Sequence, residues 1–400
     1  MNHVAITGMG VVSPIGSGVR VFWDALLDGR HGFRLIQGGE ALAGNRLWAA
    51  VTDEFAAAAG VSDEVLRNAD RFTAYAVAAS AEALAMAGLA DGVPPRTAVI
   101  LGNTMGGLPL FAETQTVLER RPQHVTPKLM ALVIPNMASA RIALHWGLHG
   151  RQLTVSTACA SSLDAVGLAA GMIERGEVEH AIAGGTETLL APVVYQSLER
   201  ARALSRSADP ALASRPFDVA RDGFVMGEGA AMLLLEHVES ARRRGARVFG
   251  RVRGYGSLAD AHHLTSPEPS GRFEADTMRA ALENSACEVD VVFAHATSTV
   301  AGDIAELRAI NTVFDARQPI VTAPRGHLGH AMAAAGAMST IAGLLGMEAD
   351  VVPHTLGTRT VEPEADFEVV LGKPRRHAFQ AFSVNAFGFG GQNASLVLSQ

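Results

Sequence analysis

The chain has 400 residues, of which 48% are hydrophobic and 18% are charged, and its formal net charge is −7. This composition is typical of a well-packed globular protein and argues against long disordered tracts. The acidic balance argues against nucleic acid as the main ligand. Because the length exceeds that of a single hydrophobic core, we expect two core units or one large duplicated domain.

Cysteine usage and the first residues indicate the compartment. Only Cys159 and Cys287 are present, which makes a poor disulfide framework and fits a reducing environment. The chain opens with the apolar, strand-like residues 4–6 and not with a basic segment, so we expect a cytoplasmic protein without a secretory signal. The longest apolar stretch, residues 331–347, is slightly short for a bilayer and is interrupted by polar residues, which favours a buried core helix and no membrane contact.

Short β-branched runs alternate with alanine-rich segments along the whole chain. The predicted strands cover residues 3–7, 97–101, 153–156, 180–183, 231–236, 248–255, 291–294, 319–322 and 394–399. The predicted helices cover residues 74–87, 162–175, 274–285 and 332–347. This alternation predicts an α/β protein built in layers. The helices at 162–175 and 332–347 are apolar all round, as expected for helices that lie between two sheets.

Two distant segments resemble each other. Residues 223–235 and 386–398 both consist of a glycine-rich turn that leads into an apolar strand. A strand is also predicted near the start of each half, at residues 3 and 248. The repeat favours a duplication, with an N-terminal half at 1–245 and a C-terminal half at 246–400.

The segment 153–162, Leu-Thr-Val-Ser-Thr-Ala-Cys-Ala-Ser-Ser, predicts a strand, a tight turn of small residues and the start of a helix. This arrangement exposes the thiol of Cys159 and points helix N-terminal N–H groups at it. Such a dipole contributes about 0.3–1 kcal/mol to a thiolate, which predicts a lowered pKa for Cys159. A buried structural cysteine is the alternative, but the small neighbours leave room for a substrate and favour a nucleophile. Cys287 lacks these features and is predicted to be inert.

A cysteine nucleophile needs partners that manage protons or developing charge. Two histidines lie in loops of small residues that follow predicted strands. His295 follows residues 291–294, and His330 closes the segment 324–330 immediately before an apolar helix. Either one is a candidate for a neutral imidazole that donates a hydrogen bond.

Together these residues resemble the Cys-His-His set of the β-ketoacyl-acyl-carrier-protein synthase family, which includes the ketosynthases of type II polyketide synthases. The resemblance covers essentially the whole chain. Further matching motifs lie at residues 4–14, 102–107, 135–139, 215–218, 221–229 and 386–391. The fold that the resemblance implies is the thiolase fold, a duplicated five-layer α/β/α/β/α arrangement.

The resemblance also implies roles for the reacting groups. Cys159 would accept an acyl group from a carrier-protein thioester, and the backbone N–H groups of Cys159 and Phe389 would form the oxyanion hole. Phe389 resembles the family's gating phenylalanine. His295 and His330 would bind the carbonyl of a malonyl thioester, stabilise the enolate that remains after carbon dioxide leaves, and let it attack the acyl group on Cys159.

Supporting positions follow from the same resemblance. Thr297 and Thr299 match threonines that bind the phosphopantetheine arm. Asp303 and Glu306 match an acidic pair that supports the histidine loop, and Leu108 would line the acyl tunnel. No metal and no bound cofactor are expected, because the substrates are carried on the phosphopantetheine of an acyl carrier protein.

The second histidine motif departs from the family pattern. The family usually reads lysine-serine-x-x-glycine-histidine, with a glutamate nine residues after the histidine, whereas Arg325 and Ser339 occupy the lysine and glutamate positions here. Arginine keeps the positive charge but cannot deprotonate. We expect Arg325 to support the site without the carboxylate partner that the family provides, and we expect specialised polyketide or unusual fatty-acid synthesis.

Three functions are compatible with this pattern. The favoured one is an elongating synthase that condenses acyl and malonyl units in polyketide or fatty-acid synthesis. The second is a non-elongating partner resembling a chain-length factor, although such partners usually lack the cysteine that this chain retains. The third is a thiolase-like enzyme, which lacks support because no second cysteine lies near the C-terminus. A homodimer or a ketosynthase/chain-length-factor heterodimer is expected, formed through the 103–140 region.

Overall fold

Two segments with the same strand order build the protein, in a computed structural model that describes residues 3–36, 47–52 and 61–400. The strands are β1 (Val4–Ser13), β2 (Gly16–Ser17), β3 (Phe33–Ile36), β4 (Leu47–Ala50), β5 (Ala98–Gly102), β6 (Gln152–Val155), β7 (His180–Glu187), β8 (Met226–Gly227), β9 (Gly229–His237), β10 (Gly250–Ala259), β11 (Val291–Phe293), β12 (Ile320–Thr322), β13 (Val351–Val352), β14 (Glu368–Val369), β15 (Arg375–Arg376), β16 (Ala381–Gly388) and β17 (Gln392–Ser399). The helices are α1 (Val19–Leu27), α2 (Asp63–Arg67), α3 (Arg71–Met86), α4 (Leu108–Arg120), α5 (Leu129–Val133), α6 (Met137–Trp146), α7 (Ser161–Glu174), α8 (Pro192–Arg200), α9 (Val238–Arg243), α10 (Arg272–Glu283), α11 (Val300–Val313), α12 (Arg325–Leu328) and α13 (Ala335–Ala349).

The strand order repeats between the two halves. In the first half the order is β1-β9-β7-β5-β6, with β9 antiparallel to both neighbours and β7, β5 and β6 mutually parallel. In the second half the order is β10-β17-β16-β11-β12-β14, with β17 antiparallel to both neighbours and the remaining strands parallel. The two glycine-rich repeats of the sequence therefore lead into β9 and β17, which occupy equivalent places in the two halves.

The halves meet edge to edge and share their central helices. Strands β1 and β10 pair antiparallel from Val4↔Val252 to Ile6↔Gly250, which joins the halves into one 12-stranded sheet that includes β2. One core cluster contains residues of α7, α13 and both half-sheets, so these two helices lie between the sheets. Helix α3 covers the outer face of the first half, and α10 and α11 cover that of the second. The five-layer thiolase fold that the resemblance implied is confirmed.

Each central helix is preceded by the same irregular turn. The 3₁₀ turn Ala158–Ala160 leads into α7, and the 3₁₀ turn Met332–Ala334 leads into α13. Both turns include a non-glycine residue with positive φ, Ala158 at 49° and Met332 at 45°. Such conformations are strained and tend to occur where a structure places functional groups.

All predicted strands and helices form, with ends that differ by a few residues. The 331–347 stretch becomes a 3₁₀ turn followed by α13, and 78% of the window Met332–Ala349 is buried inside the protein, as expected for a core helix. Strand β16 was not predicted as a strand. The division of the chain at residues 245 and 246 stays a prediction, and we propose it as the boundary of the duplicated halves.

Glycine allows the central helices to approach the sheets closely. A Cβ atom on Gly343 of α13 would lie 2.1 Å from the Phe382 ring of β16, and one on Gly167 of α7 would lie 2.4 Å from the Tyr255 ring of β10. Phe382 is completely buried, so its ring has little space into which it could move.

The substitution Gly343→Ala is therefore expected to destabilise the fold. Overpacking of this kind lowers the free energy of unfolding by about 1–3 kcal/mol. The measurement is urea denaturation followed by circular dichroism, with Gly92→Ala as the matched control, because a Cβ atom on Gly92 meets nothing within 4 Å. Equal denaturation midpoints for Gly343→Ala and Gly92→Ala would contradict the close packing of α13 on β16.

Candidate active site

Cys159 lies in the turn between the edge strand β6 and the central helix α7. The Thr157 N–H donates to Ser161 Oγ at 2.9 Å, and this hydroxyl donates to the Ala158 carbonyl at 2.6 Å, so the turn is closed by its own side chain. The Cys159 residue is 8% exposed, and its sulfur faces the cavity. The small residues of the predicted elbow thus form the tight turn that the sequence indicated.

The turn between β16 and β17 brings Phe389 against Cys159. A Cβ atom on Gly388 would lie 2.9 Å from the Cys159 nitrogen, so a glycine is needed for this close approach. The backbone N–H groups of Phe389 and Cys159 both interact with the Cys159 sulfur. The Phe389 side chain itself is 47% exposed beside the cavity.

The two predicted histidines meet at the sulfur. His330 Nε2 lies 2.9 Å from Cys159 Sγ. The rings of His295 and His330 have centroids 5.2 Å apart and are nearly perpendicular, at 83°. The His330 N–H donates to the Val225 carbonyl at 2.7 Å, which ties the loop before α13 to the first half of the chain.

Two buried carboxylates hold the loop that carries His295. Glu306 accepts the N–H of His295 at 2.8 Å and that of Ala296 at 2.6 Å. Asp303 accepts the Ser298 N–H at 3.0 Å, and Arg221 Nε lies 3.7 Å from Asp303. Both acids therefore contact backbone groups of the loop.

Burial determines the protonation of the reacting groups. It lowers the pKa of His330 to about 3 and that of His295 well below its usual value, with the positive charge of Arg325 acting in the same direction. It also raises the pKa of Cys159 to about 12. The prediction of a lowered thiol pKa is wrong, because desolvation outweighs the stabilisation by Arg325 and by the nearby N–H groups.

Arg325 is a fully buried cation without a complete set of partners. It is 1% exposed, and its Nη1 donates to Ser339 Oγ at 3.2 Å and to the Ala335 carbonyl at 3.4 Å. Its Nε and Nη2 have no hydrogen-bond partner. Burial lowers the pKa of Arg325 to about 10, although Cys159 and Glu306 favour its charged form.

A cavity of about 660 Å³ reaches the Cys159 sulfur and has two different walls. The first half of the chain contributes a mainly apolar wall that includes Leu189, Val194 and Phe224, and Met332 from the turn before α13 adjoins it. The second half contributes a polar wall that includes Thr297 and Thr299, whose Oγ1 atoms lie 3.3 Å apart.

Leu108, predicted for the acyl tunnel, is not among the residues that line this cavity. It packs behind the apolar wall in the cluster that contains Leu189, Phe224 and Met332. A position behind the wall suits the floor or end of a tunnel more than its entrance.

Sequence reasoning did not identify two buried acids near the cavity. Glu187 accepts the Thr104 N–H at 3.1 Å, and burial raises its pKa to about 7. The sequence offers one signal for Glu187, since a glutamate at the end of an apolar strand indicates a buried polar site. Glu274 lines the cavity from α10, and its position in the first turn of a helix gave no such signal.

The three reacting side chains also have the spacing of metal ligands. The sulfur of Cys159 and ring nitrogens of His295 and His330 lie within 4.8 Å of one another. A zinc site normally adds a fourth ligand to three such donors. That the site works without a metal stays a prediction.

Comparisons with known proteins agree with this geometry. The family "Beta-ketoacyl synthase, N-terminal domain" matches residues 1–241, and "Beta-ketoacyl synthase, C-terminal domain" matches residues 249–359. The 3-oxoacyl-[acyl-carrier-protein] synthase 2 of Synechocystis sp. is 35% identical over 100% of this chain and 98% of its own length.

Solved structures are also similar over nearly the full length of the chain. The ishigamide ketosynthase/chain length factor superposes with a TM-score of 0.91 at 33% identity, covering 100% of this chain and 99% of that one. A type II PKS acyl-carrier protein in complex with its ketosynthase bound to the hexaketide includes a chain that superposes with a TM-score of 0.89 at 27% identity, covering 99% of both chains. With the five-layer fold and the Cys-His-His site, these matches show that the chain belongs to the beta-ketoacyl synthase family.

Proposed function

We propose that this protein is an elongating 3-oxoacyl-acyl-carrier-protein synthase. It condenses an acyl group held on Cys159 with malonyl-acyl carrier protein and releases 3-oxoacyl-acyl carrier protein and carbon dioxide, in polyketide or fatty-acid synthesis. The observation that carries the proposal is the 2.9 Å contact between Cys159 Sγ and His330 Nε2, with His295 beside them at the end of a cavity.

In the first step the acyl group moves to Cys159. The thiol is neutral, so its proton passes to His330 Nε2 as the sulfur attacks the thioester carbonyl. The N–H groups of Cys159 and Phe389 bind the oxyanion of the tetrahedral intermediate. The buried imidazolium is unfavourable, so His330 passes the proton to the departing thiolate of the carrier and returns to its neutral form.

In the second step the malonyl thioester carbonyl lies between the two imidazoles. Both imidazoles are neutral, and His330 is now in the tautomer that carries its proton on Nε2. His295 and His330 each donate an N–H to this oxygen and stabilise the enolate as carbon dioxide leaves. The enolate carbon then attacks the acyl carbonyl on Cys159, with the oxyanion held again by the two backbone N–H groups. That attack forms the carbon–carbon bond, and collapse of the intermediate breaks the C–S bond and releases the Cys159 thiolate, which takes up a proton from water to restore the thiol.

The supporting residues act through these groups. Glu306 and Asp303 fix the loop that carries His295, while Thr297 and Thr299 hydrogen-bond the phosphopantetheine arm from the polar wall. Arg325 supplies a fixed positive charge near the sulfur. Leu108 closes the acyl tunnel behind the apolar wall. Neither a metal nor a bound cofactor takes part.

An acyl carrier protein and a second synthase subunit are the proposed partners. The neighbour with a bound acyl-carrier protein supports the first partner, and the ketosynthase/chain length factor neighbour supports the second. Strand β6 ends the 12-stranded sheet, and the adjoining 103–140 region exposes Met105, Phe111 and Met130 at 51%, 47% and 59%. We place a homodimer or heterodimer contact there, in a cytoplasmic enzyme.

A non-elongating role resembling that of a chain-length factor is the second candidate. It is favoured by the missing ion pair at Arg325, whose neighbour Ser339 offers a hydroxyl where the family has a carboxylate. The presence of Cys159 in hydrogen-bond range of His330 favours the elongating role.

The first test is acylation of the cysteine. Incubation with an acyl-carrier thioester should add one acyl group to the wild type, and Cys159→Ala should remove this adduct because Cys287, the other cysteine, does not line the cavity. Intact-mass spectrometry measures the adduct. Cys287→Ala is the matched control and should be acylated like the wild type. An unmodified wild type, alone and with a sister subunit, would rule out the elongating role.

The second test is the pH dependence of malonyl-carrier decarboxylation. The pKa of His330 is about 3 and that of His295 is also lowered, so both imidazoles remain neutral as the pH falls through 6.5, the usual histidine value. The rate should therefore be flat between about pH 5.5 and pH 8, and either His295→Ala or His330→Ala should lower it by about 10²–10⁴-fold. Carbon dioxide release measures the rate, and a decline with a midpoint near 6.5 would contradict neutral imidazoles.

The third test concerns the charge of Arg325. Removing this cation in Arg325→Met disfavours the thiolate, so the pKa of Cys159 rises further and alkylation by iodoacetamide at a fixed pH slows by about tenfold or more. The Ser339→Ala control removes a hydrogen bond but keeps the charge, and its alkylation rate should stay close to that of the wild type. Equal rates in Arg325→Met and the wild type would show that the charge does not act on the sulfur.

A further inference from the structure

One carboxyl group in the cavity has no part in the proposed reaction. Glu274 lies in the first turn of α10 and lines the cavity, yet the residue is only 2% exposed. Its Oε2 atom is buried and has no hydrogen-bond partner. A buried polar atom of this kind is uncommon in native proteins and calls for a specific explanation.

The usual structural reason for a glutamate at this position does not apply. The third residue of a helix often accepts the N–H of the N-cap residue in a capping box. Here the N-cap residue is Gly271, and its N–H donates at 3.0 Å to the carbonyl of Glu268. The Glu274 side chain therefore does not cap its own helix.

The surroundings of Glu274 favour the protonated form of its carboxyl. Burial and the nearby acids Glu306, Asp260, Glu268 and Asp303 all raise its pKa well above the usual value. A protonated carboxyl is a hydrogen-bond donor. A protonated Glu274 is therefore a donor beside a cavity whose proposed ligand carries several oxygen acceptors.

The location of Glu274 indicates which part of the ligand it meets. It belongs to the polar wall with Thr297, Thr299 and Asn393, and does not belong to the apolar wall around Phe224. The Glu306 carboxylate, which binds the His295 N–H, is close enough to Glu274 to raise its pKa, so Glu274 lies near the loop that carries His295.

From this geometry we infer that the Glu274 carboxyl is a binding group, which donates a hydrogen bond to an amide oxygen of the phosphopantetheine arm. The identity of the arm rests on the proposed function, whereas the position and unpaired oxygen of Glu274 do not. The amide oxygens of the arm are neutral acceptors, which suits a protonated acid better than a carboxylate.

The test measures binding without catalysis. S-methylpantetheine, a thioether that cannot transfer an acyl group, is titrated by calorimetry into the wild type, Glu274→Ala and Glu274→Gln. Loss of one neutral hydrogen bond should weaken binding to Glu274→Ala by about tenfold. Glu274→Gln keeps the shape and an N–H donor, and should bind within about threefold of the wild type.

A pH series separates a binding role from a packing role. Affinity of the wild type should fall as the pH rises through the raised pKa of Glu274, because the donor ionises, whereas affinity of Glu274→Gln should stay constant. Glu283→Gln removes an exposed carboxylate from the other end of α10 and should behave as the wild type throughout. Melting temperatures of all variants report whether each one is folded.

The outcomes are distinct from those for the proposed function. Three results would each overturn the inference. Glu274→Ala could bind S-methylpantetheine as tightly as the wild type does, the affinity of the wild type could be independent of pH, or S-methylpantetheine could fail to bind. The S-butyl and S-(3-oxobutyl) derivatives of pantetheine test whether the contact lies on the acyl chain. If Glu274→Ala weakens binding of the S-(3-oxobutyl) derivative but not of the S-butyl derivative, the contact lies on the acyl chain and the inference is overturned. If pantetheine binds as expected but Cys159 is never acylated, the elongating function fails and the Glu274 contact stands.

Discussion

Removal of water from the reacting groups is the constraint on which the rest of the site depends. Cys159, His295, His330 and Arg325 are 8%, 7%, 3% and 1% exposed. In this environment the imidazoles remain neutral and the thiol keeps its proton. These three groups therefore become charged only in the steps in which bonds form and break. The backbone N–H groups at the sulfur are fixed in place before that charge appears, and fixed donors stabilise it without reorganisation. The same desolvation makes Arg325 costly to bury, and its unpaired nitrogens show that the cost is only partly offset.

The duplicated topology explains how groups so distant in sequence converge. Cys159 comes from the turn before α7, and His330 comes from the segment that leads into α13, so the two halves contribute from equivalent positions on either side of the shared helices. Gly388 then lets β16 approach the Cys159 backbone. Because each half supplies part of the site, the joint between β1 and β10 and the tight packing of the central helices matter for chemistry as well as for stability.

The sequence predicted the layers and the three reacting side chains but not their energetics. Alternating strands and all-apolar helices follow from local periodicity. Strand β16 was missed although Phe382, Val384 and Ala386 alternate with Ser383 and Asn385, because its last residues read as part of the glycine-rich turn that follows. The thiol pKa was predicted with the wrong sign, since local sequence reveals the helix N-terminus but not burial by residues that lie more than a hundred positions away. Glu274 could not be recognised, because a glutamate in a first helical turn is ordinary until its capping contact is found missing.

The pairing of the first strand has a consequence for how this chain is made. Strand β1 lies between β9 and β10, whose partner residues extend to Val252, so its edges stay open until well over half of the chain has left the ribosome. Contacts so far apart in sequence are slow to form, and an unpaired apolar strand is prone to aggregation. The emerging polypeptide therefore has a long interval during synthesis in which shielding by chaperones would be most valuable.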